Sequence, residues 1–396
     1  MENGVSLPKN SRVRAVDALR GIVIAAMVVA NNPGDWGVLY APEGTFWSVV
    51  FWHLRHADWH GFTPTDFVFP AFLFLSGVSC CFSFARRAET GARLRKIAVR
   101  SLEIFLLGVF LVNFPFSDGA GVPFHLPFGE WRIMGVLQRI AIAWGLGALC
   151  VTLWEKRPRA IALVVGVLLV GYWIALALGG VPGEDPFALY CHLGHRVDLA
   201  LLGESHLWPL PSPRYEPEGL LGCLPATATM LFGWFAGRAI RNRVPGPGSW
   251  TPVLARFFRA SLLLCAGGLA WSLVFPINKA LWSSSYVLLS AGVSLFLLSL
   301  SIWLFEELSC PRLLTFLSVF GCNATLLYAL DAVWVKCSWA IPSPGEGAAF
   351  SEWLYRSVCA AIAGPQGGSL LYPLLHVAFY WLLLLPLFRK KIFLKL

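Results

Sequence analysis

The chain has 396 residues, 57% of them hydrophobic and only 13% charged, with 18 Trp and 29 Phe. Soluble domains carry about 25% charged residues, so this composition excludes an ordinary soluble enzyme and requires a polytopic membrane protein. The formal charge of +9 does not indicate a nucleic-acid partner. Its basic residues gather between apolar runs, as in cytoplasmic loops: Arg86, Arg87, Arg93, Arg95 and Lys96, then Lys156, Arg157 and Arg159, then Arg238, Arg241 and Arg243, and finally Arg389, Lys390, Lys391 and Lys395.

In chain order the apolar runs predict ten spans: Ala18–Asn32, Thr65–Ala85, Ile97–Phe114, Met134–Leu153, Ile161–Leu178, Leu220–Ala239, Ala260–Phe275, Ser284–Phe305, Leu313–Trp334 and Leu370–Phe388. The expected fold is an all-α polytopic membrane protein, a bundle of about ten transmembrane helices in a single domain over residues 1–396. Phe350–Ile362 would make an eleventh span, but with Glu352 and Arg356 it reads as an interfacial or re-entrant helix. The polar opening "MENGVSLPKNSRVRAVDALRG" lacks a small-residue cleavage site, and an even span count then places both termini in the cytoplasm. The loops poor in Lys and Arg (33–64, 115–133, 179–219, 276–283 and 335–369) fall outside. Ten cysteines lack metal-ligand spacing, so neither a disulfide framework nor a metal is expected.

The most informative stretch is "HLRHADWHGFTPTDFVFPAFLFLSGVS", which sets His53, His56, His60, Asp58 and Asp66 against an apolar run. Ionisable groups at the mouth of a membrane helix are costly without partners or a task. A histidine there can move a proton near neutral pH, with an aspartate fixing its tautomer. Asn31 and Asn32 close the first span, either as helix caps or as amides aimed at a reacting carbonyl. "WRIMGVLQR" puts Arg132 and Arg139 seven residues apart on one helix face beside Gln138, suited to a phosphate or carboxylate, or to snorkelling. Glu216 and Glu218 in "EPEG" read as a helix start or as part of an outer site. "FPINKALWSSSY" offers Asn278, Lys279, Trp282, Ser283, Ser285 and Tyr286 in a short turn, where Lys279 either pairs with an outer glutamate or binds a substrate anion. Asp17 and Arg20 are spaced to pair on one helix, and Asn323 and Asp331 lie two turns apart on the ninth span.

Taken together, "RAVDALRGIVIAAMVVANNPG", "RHADWHGFTPTDFVFPAFLFLSGVS", "WRIMGVLQR", "YEPEGLLG", "FPINKALWSSSYV", "GCNATLLYAL" and "RKKIF" resemble, in order, the transmembrane acetyltransferases related to heparan-α-glucosaminide N-acetyltransferase. The lysosomal enzyme has a further N-terminal luminal domain and span, so the expectation here is a bacterial-type member in the inner membrane. The resemblance implies transfer of an acetyl group from acetyl-CoA to an amino sugar or related glycan, with membrane lipids around the bundle and a homodimer admissible. It implies His56 as the active-site histidine, Asn31 beside it and Asp66 in the same motif. Arg132, Gln138, Arg139, Ser283, Ser285, Tyr286 and Asn323 are the candidate CoA contacts. Asp58, His60, Glu218, Asn278, Lys279 and Trp282 are the candidate acceptor contacts. Where the family has Asn after the tryptophan, this chain has His60 after Trp59.

Acetyl transfer needs a nucleophile, a base and a stabiliser for the oxyanion. His56 serves either as base or as acetyl carrier in a ping-pong route. Two rivals stay open: an O-acetyltransferase of an envelope glycan or lipid-linked sugar, and a non-enzymatic sugar or anion carrier.

Overall fold

The protein is described by a computed structural model, which covers residues 13–394 apart from 36, 38–40, 43, 86–88, 118–122, 211, 245, 247 and 344–348. Arg86, Arg87 and Lys395 of the basic clusters lie outside the described residues. Helices account for the architecture: α1 (Arg14–Asn31), α2 (Phe46–Trp52), α3 (Pro64–Ala85), α4 (Thr90–Asn113), α5 (Val136–Trp154), α6 (Pro158–Gly179) and α7 (Leu193–Leu201) come first. They are followed by α8 (Cys223–Arg241), α9 (Thr251–Trp271), α10 (Ser284–Ile302), α11 (Pro311–Cys322), α12 (Ala324–Ala340), α13 (Phe350–Trp353) and α14 (Ala360–Arg389). Among the described residues the only β pairing is an isolated bridge between Pro342 and Ala349.

Every expected span coincides with helix. Six helical stretches are long and apolar enough to cross a bilayer: Pro64–Ala85, Val136–Trp154, Pro158–Gly179, Thr251–Trp271, Ser284–Glu307 and Phe350–Arg389. A seventh results if α11 and α12 form one span. The all-α membrane class therefore holds. The helices α1, α4 and α8 stand outside this set, although they fill the places of the first, third and sixth expected spans.

Small residues let the central helices touch. A Cβ on Gly77 of α3 would sit 1.9 Å from the Met230 carbonyl oxygen, and one on Gly233 of α8 only 1.8 Å from that of Phe74. Close backbone approach through small residues replaces the hydrophobic drive that lipid cannot supply. The crossing of α1 and α11 is built likewise, with Gly21 against Leu317 and Gly321 against Asp17. Asp17 and Arg20 pair at 3.1 Å as their spacing predicts, and Arg20 also donates to the Ser79 hydroxyl.

Two local expectations are corrected. The ninth run is not one straight helix: α11 and α12 meet at a 67° bend, with Asn323 (φ −125°) at the corner. Its side chain donates to the Ile392 carbonyl and accepts from the Leu394 amide, so the corner holds the C-terminal segment. Asn323 and Asp331 thus do not share a straight helical face. Arg132 likewise does not share a helix face with Arg139, because α5 starts only at Val136. The Asn113 side chain clamps the Arg132 backbone through both its N–H and its carbonyl, holding that residue in the preceding loop. Phe350–Ile362 is helical and adjoins the last expected span. It runs through a π-helical turn into α14, which breaks at Gly364 (φ +72°) ahead of Pro365.

Candidate functional site

The site grows from the start of α3. In "TPTD", Pro64 occupies the first helical position, where its missing N–H costs nothing. Thr63 and Asp66 cap each other: the Asp66 amide donates to the Thr63 hydroxyl at 3.4 Å and the Thr63 amide donates to Asp66 Oδ2 at 3.1 Å. This is the reciprocal arrangement of a capping box with Asp in the acidic position. Asp66 Oδ2 also accepts from the Ala57 amide (3.1 Å) and the Thr63 hydroxyl (3.0 Å). Its Oδ1 remains, and the His56 Nδ1–H donates to it at 2.6 Å.

That bond fixes the imidazole. With Nδ1 donating to a carboxylate, Nε2 is left as the acceptor, the tautomer a base or nucleophile requires. The Asp66 side chain is 2% exposed and that of His56 53%, so a buried carboxylate orients a ring open to solvent.

The loop carrying His56 is fastened to two distant loops. Asn278 donates to the Trp59 carbonyl at 2.8 Å, and the Gly61 amide donates to the Ile277 carbonyl at 2.8 Å. Gly61 has φ +135°, which only glycine adopts without strain. The Trp59 indole donates to the Phe187 carbonyl at 3.0 Å. Pro70 inside α3 cannot donate to the carbonyl four residues back, which belongs to Asp66. The Tyr286 hydroxyl takes that freed carbonyl at 2.7 Å and so pins the start of α10 under the site.

Lys279 completes the centre. Its Nζ lies 3.1 Å from Nδ1 and 3.2 Å from Nε2 of His56, and 3.7 Å from Asp66 Oδ1. An ammonium in the ring plane and that close to both nitrogens would collide with the carbon between them. Lys279 therefore stands over the ring face. Burial pushes its pKa below the ordinary lysine value, against the opposing pull of Asp66 and Glu218.

Next to this open centre lies a closed one. Arg132 makes a bidentate bond to Glu216 (Nε to Oε2 at 2.9 Å, Nη2 to Oε1 at 2.5 Å) and reaches Glu218 at 2.6 Å. Burial raises the Glu216 carboxyl to about 7, whereas the pull of Arg132 holds Glu218 below its ordinary value despite burial. Arg139 is 1% exposed, donates to the Gly219 carbonyl at 3.1 Å and lies 5.2 Å from the Trp282 ring centroid. His192 and Asp198 line the same small cavity of α7 and its flanks; burial lowers His192 to about 3 and raises Asp198 to about 6.

A family model described as heparan-alpha-glucosaminide N-acetyltransferase, catalytic, matches residues 12–268, which include Asn31, His56, Asp66, Arg132 and Glu218. The chain belongs to this family. The heparan-alpha-glucosaminide N-acetyltransferase of Homo sapiens is 28% identical over 341 residues, 72% of this chain and 48% of the human protein. That of Mus musculus is 27% identical over 372 residues, 80% of this chain and 53% of the mouse protein. The chain thus spans about half the length of the curated relatives it matches.

The expected site residues of this N-acetyltransferase-family chain fall into three groups. His56, Asp66, Lys279, Asn278 and His60 meet at one mouth; the His60 ring approaches Asn278 at 3.3 Å, and Asp58 is exposed on the same loop. Arg132, Arg139, Glu218 and Trp282 form the buried layer beside it. Gln138 is fully buried, its amide donating to the Ile133 carbonyl at 3.0 Å. Ser283 caps α10, Ser285 bonds the Phe275 carbonyl, and both are buried. Asn31 and Asn32 both act on Asp331: Asn32 donates to it at 2.9 Å and to the Val28 carbonyl at 2.8 Å. Among the described hydrogen bonds none joins Asn31 to His56. The pairing of Arg132 with Glu216 was missed from sequence, since its partners are 84 residues apart. The freed Asp66 carbonyl had a signal that could have been read, namely a proline four residues after an aspartate in a helix start.

Proposed function

We propose that this chain transfers the acetyl group of acetyl-CoA to the amine of an amino sugar or related glycan on the extracytoplasmic side of a bacterial inner membrane. The observation that carries this reading is the His56–Asp66 pair, whose half-exposed imidazole stands beside a lysine ammonium. Nε2 takes the proton of the attacking amine in direct transfer, or attacks the thioester itself and hands the acetyl group on. Asp66 holds the tautomer and balances the imidazolium in both routes.

Arg132 is engaged by two carboxylates, and we assign the CoA phosphates to the other end of α3. There, near Ser79, Arg100 packs 4.7 Å from the Trp144 ring centroid with its Nε lacking a hydrogen-bond partner among the described residues. Roughly 20 Å of α3 separates that end from Asp66, a span for the pantetheine arm. On this reading the basic start of α4 lies in the cytoplasm and the His56 mouth outside, as loop charge favours.

The test is thiol release from acetyl-CoA by the purified protein in nanodiscs, with glucosamine as acceptor and the product identified by mass spectrometry. N-acetylglucosamine is expected. Acetate found only on a hydroxyl would replace the amine acceptor. No thiol release with any amine or glycan would sink the reading.

A further inference from the structure

We propose that Lys279 is a catalytic residue of this site, its ammonium binding the oxyanion that forms on the acetyl carbonyl beside His56. The inference rests on the acetyl-transfer reading above.

Lys279 is not needed to complete the structure around it. Asp66 Oδ2 already accepts three hydrogen bonds and Oδ1 accepts His56 at 2.6 Å, while the ammonium stands off at 3.7 Å. Glu218, the other carboxylate acting on it, is held by Arg132 at 2.6 Å. The ammonium has three N–H donors; Asp66 draws on it from 3.7 Å, and over the face of His56 it meets no in-plane lone pair, which leaves donor capacity for an incoming oxygen. Its side chain is 25% exposed and adjoins the half-exposed imidazole.

The charges fit the reaction. An amine lone pair forms the new C–N bond at the acetyl carbon, and the carbonyl π pair moves to oxygen. His56 Nε2 takes the amine proton. Two charges thereby appear, an imidazolium and an oxyanion, and two fixed countercharges await them: Asp66 for the first and Lys279 for the second. The oxyanion pair then returns to the carbonyl, the C–S bond breaks, and CoA thiolate takes the proton from His56. In the ping-pong route Nε2 attacks first and the same oxyanion forms. Lys279 is also placed in advance. Its neighbour Asn278 is fully buried, bonds the Trp59 carbonyl and Leu281 amide at 2.8 Å each, and donates its own amide to Ser283 at 3.0 Å. Donors fixed before the reaction cost no reorganisation when charge develops.

The charged form of Lys279 is required, so activity should fall as pH rises through a lysine pKa that burial brings below the ordinary value. The groups facing it are His56, Asp66 of α3, Glu218 on the loop before α8, and Arg139 of α5.

Lys279→Met, Lys279→Arg and His56→Ala are compared by glucosamine-dependent thiol release across pH, with acetyl-CoA binding measured separately. Lys279→Met should lose about 10²–10³-fold in kcat, the range for one oxyanion donor, with the acetyl-CoA Kd within a few-fold. Lys279→Arg should recover most of that loss and remove the alkaline limb. A Lys279→Met enzyme within threefold of wild type, while His56→Ala is inactive, overturns the role of Lys279 and leaves the acetyl-transfer reading standing. Activity in His56→Ala instead removes the reading on which it rests. If Lys279→Met does not fold, the alkaline limb of Lys279→Arg decides: a limb unmoved from wild type overturns the proposal.

Discussion

Two polar centres lie side by side at this mouth and use the same residue types to opposite ends. Around His56 a buried aspartate is saturated with donors, yet the imidazole it orients is 53% exposed, with the Lys279 ammonium beside its second ring nitrogen. Around Arg132 the charges are paired off: the guanidinium takes two carboxylates, and the Glu216 side chain has no exposure at all. Charge alone therefore does not mark a reactive site. Reactivity belongs to the group left half-exposed beside its partners, and stability to the group whose charges are paired off.

Substitutions can break this contrast. His56→Ala should have the largest effect, lowering acetyl transfer by about 10⁴-fold, while the melting temperature stays within a few degrees because the ring is half-exposed. Covalent labelling by radiolabelled acetyl-CoA without acceptor, absent in His56→Ala, would place the chain on the ping-pong route. Arg132→Met should do the reverse. It strands two buried carboxylates, which costs about 3–5 kcal/mol, and adding Glu216→Gln should return part of the lost stability. An Arg132→Met protein that melts like wild type would dissolve the distinction between the two centres. Asp66→Asn, which keeps an acceptor for His56 but loses the charge, should lower kcat about 10²-fold and leave acetyl-CoA affinity unchanged.

The smallest effect sharpens the account of the closed centre. Burial raises Asp198 from the ordinary 3.8 to about 6. The fold thus favours its protonated form, a contribution present below the ordinary value and lost as pH rises through about 6. Asp198→Asn retains an acceptor for the Leu220 amide, which Asp198 accepts at 2.8 Å, but cannot ionise. It should melt higher than wild type at pH 8, by on the order of 2 kcal/mol, with the difference gone near pH 4. Equal melting at pH 8 would show that Arg139 fully offsets the buried charge.

Much of the open centre could be read along the chain. His56 and Asp66 are ten residues apart, and the cap that aims Asp66 is written in four consecutive residues, Thr63 to Asp66. Lys279 could not be placed over His56 this way, because 223 residues separate them. The same holds for Arg132 and its glutamates, and for the contacts of Asn31 and Asn32 with Asp331. The bend at Asn323 also escaped the apolar pattern, because hydropathy does not register a side chain that captures a terminal segment.

By itself the sequence determined the membrane class, the helical runs and the cap that presents a histidine at a helix mouth. These follow from hydropathy, proline and capping chemistry, all of which act within a few residues. Tertiary structure decided which cation meets which anion. Those meetings depend on how the helices cross. The crossings are set by backbone approach at positions such as Gly77 and Gly233, where any side chain would collide with the neighbouring helix, and no local pattern encodes which helix that neighbour is.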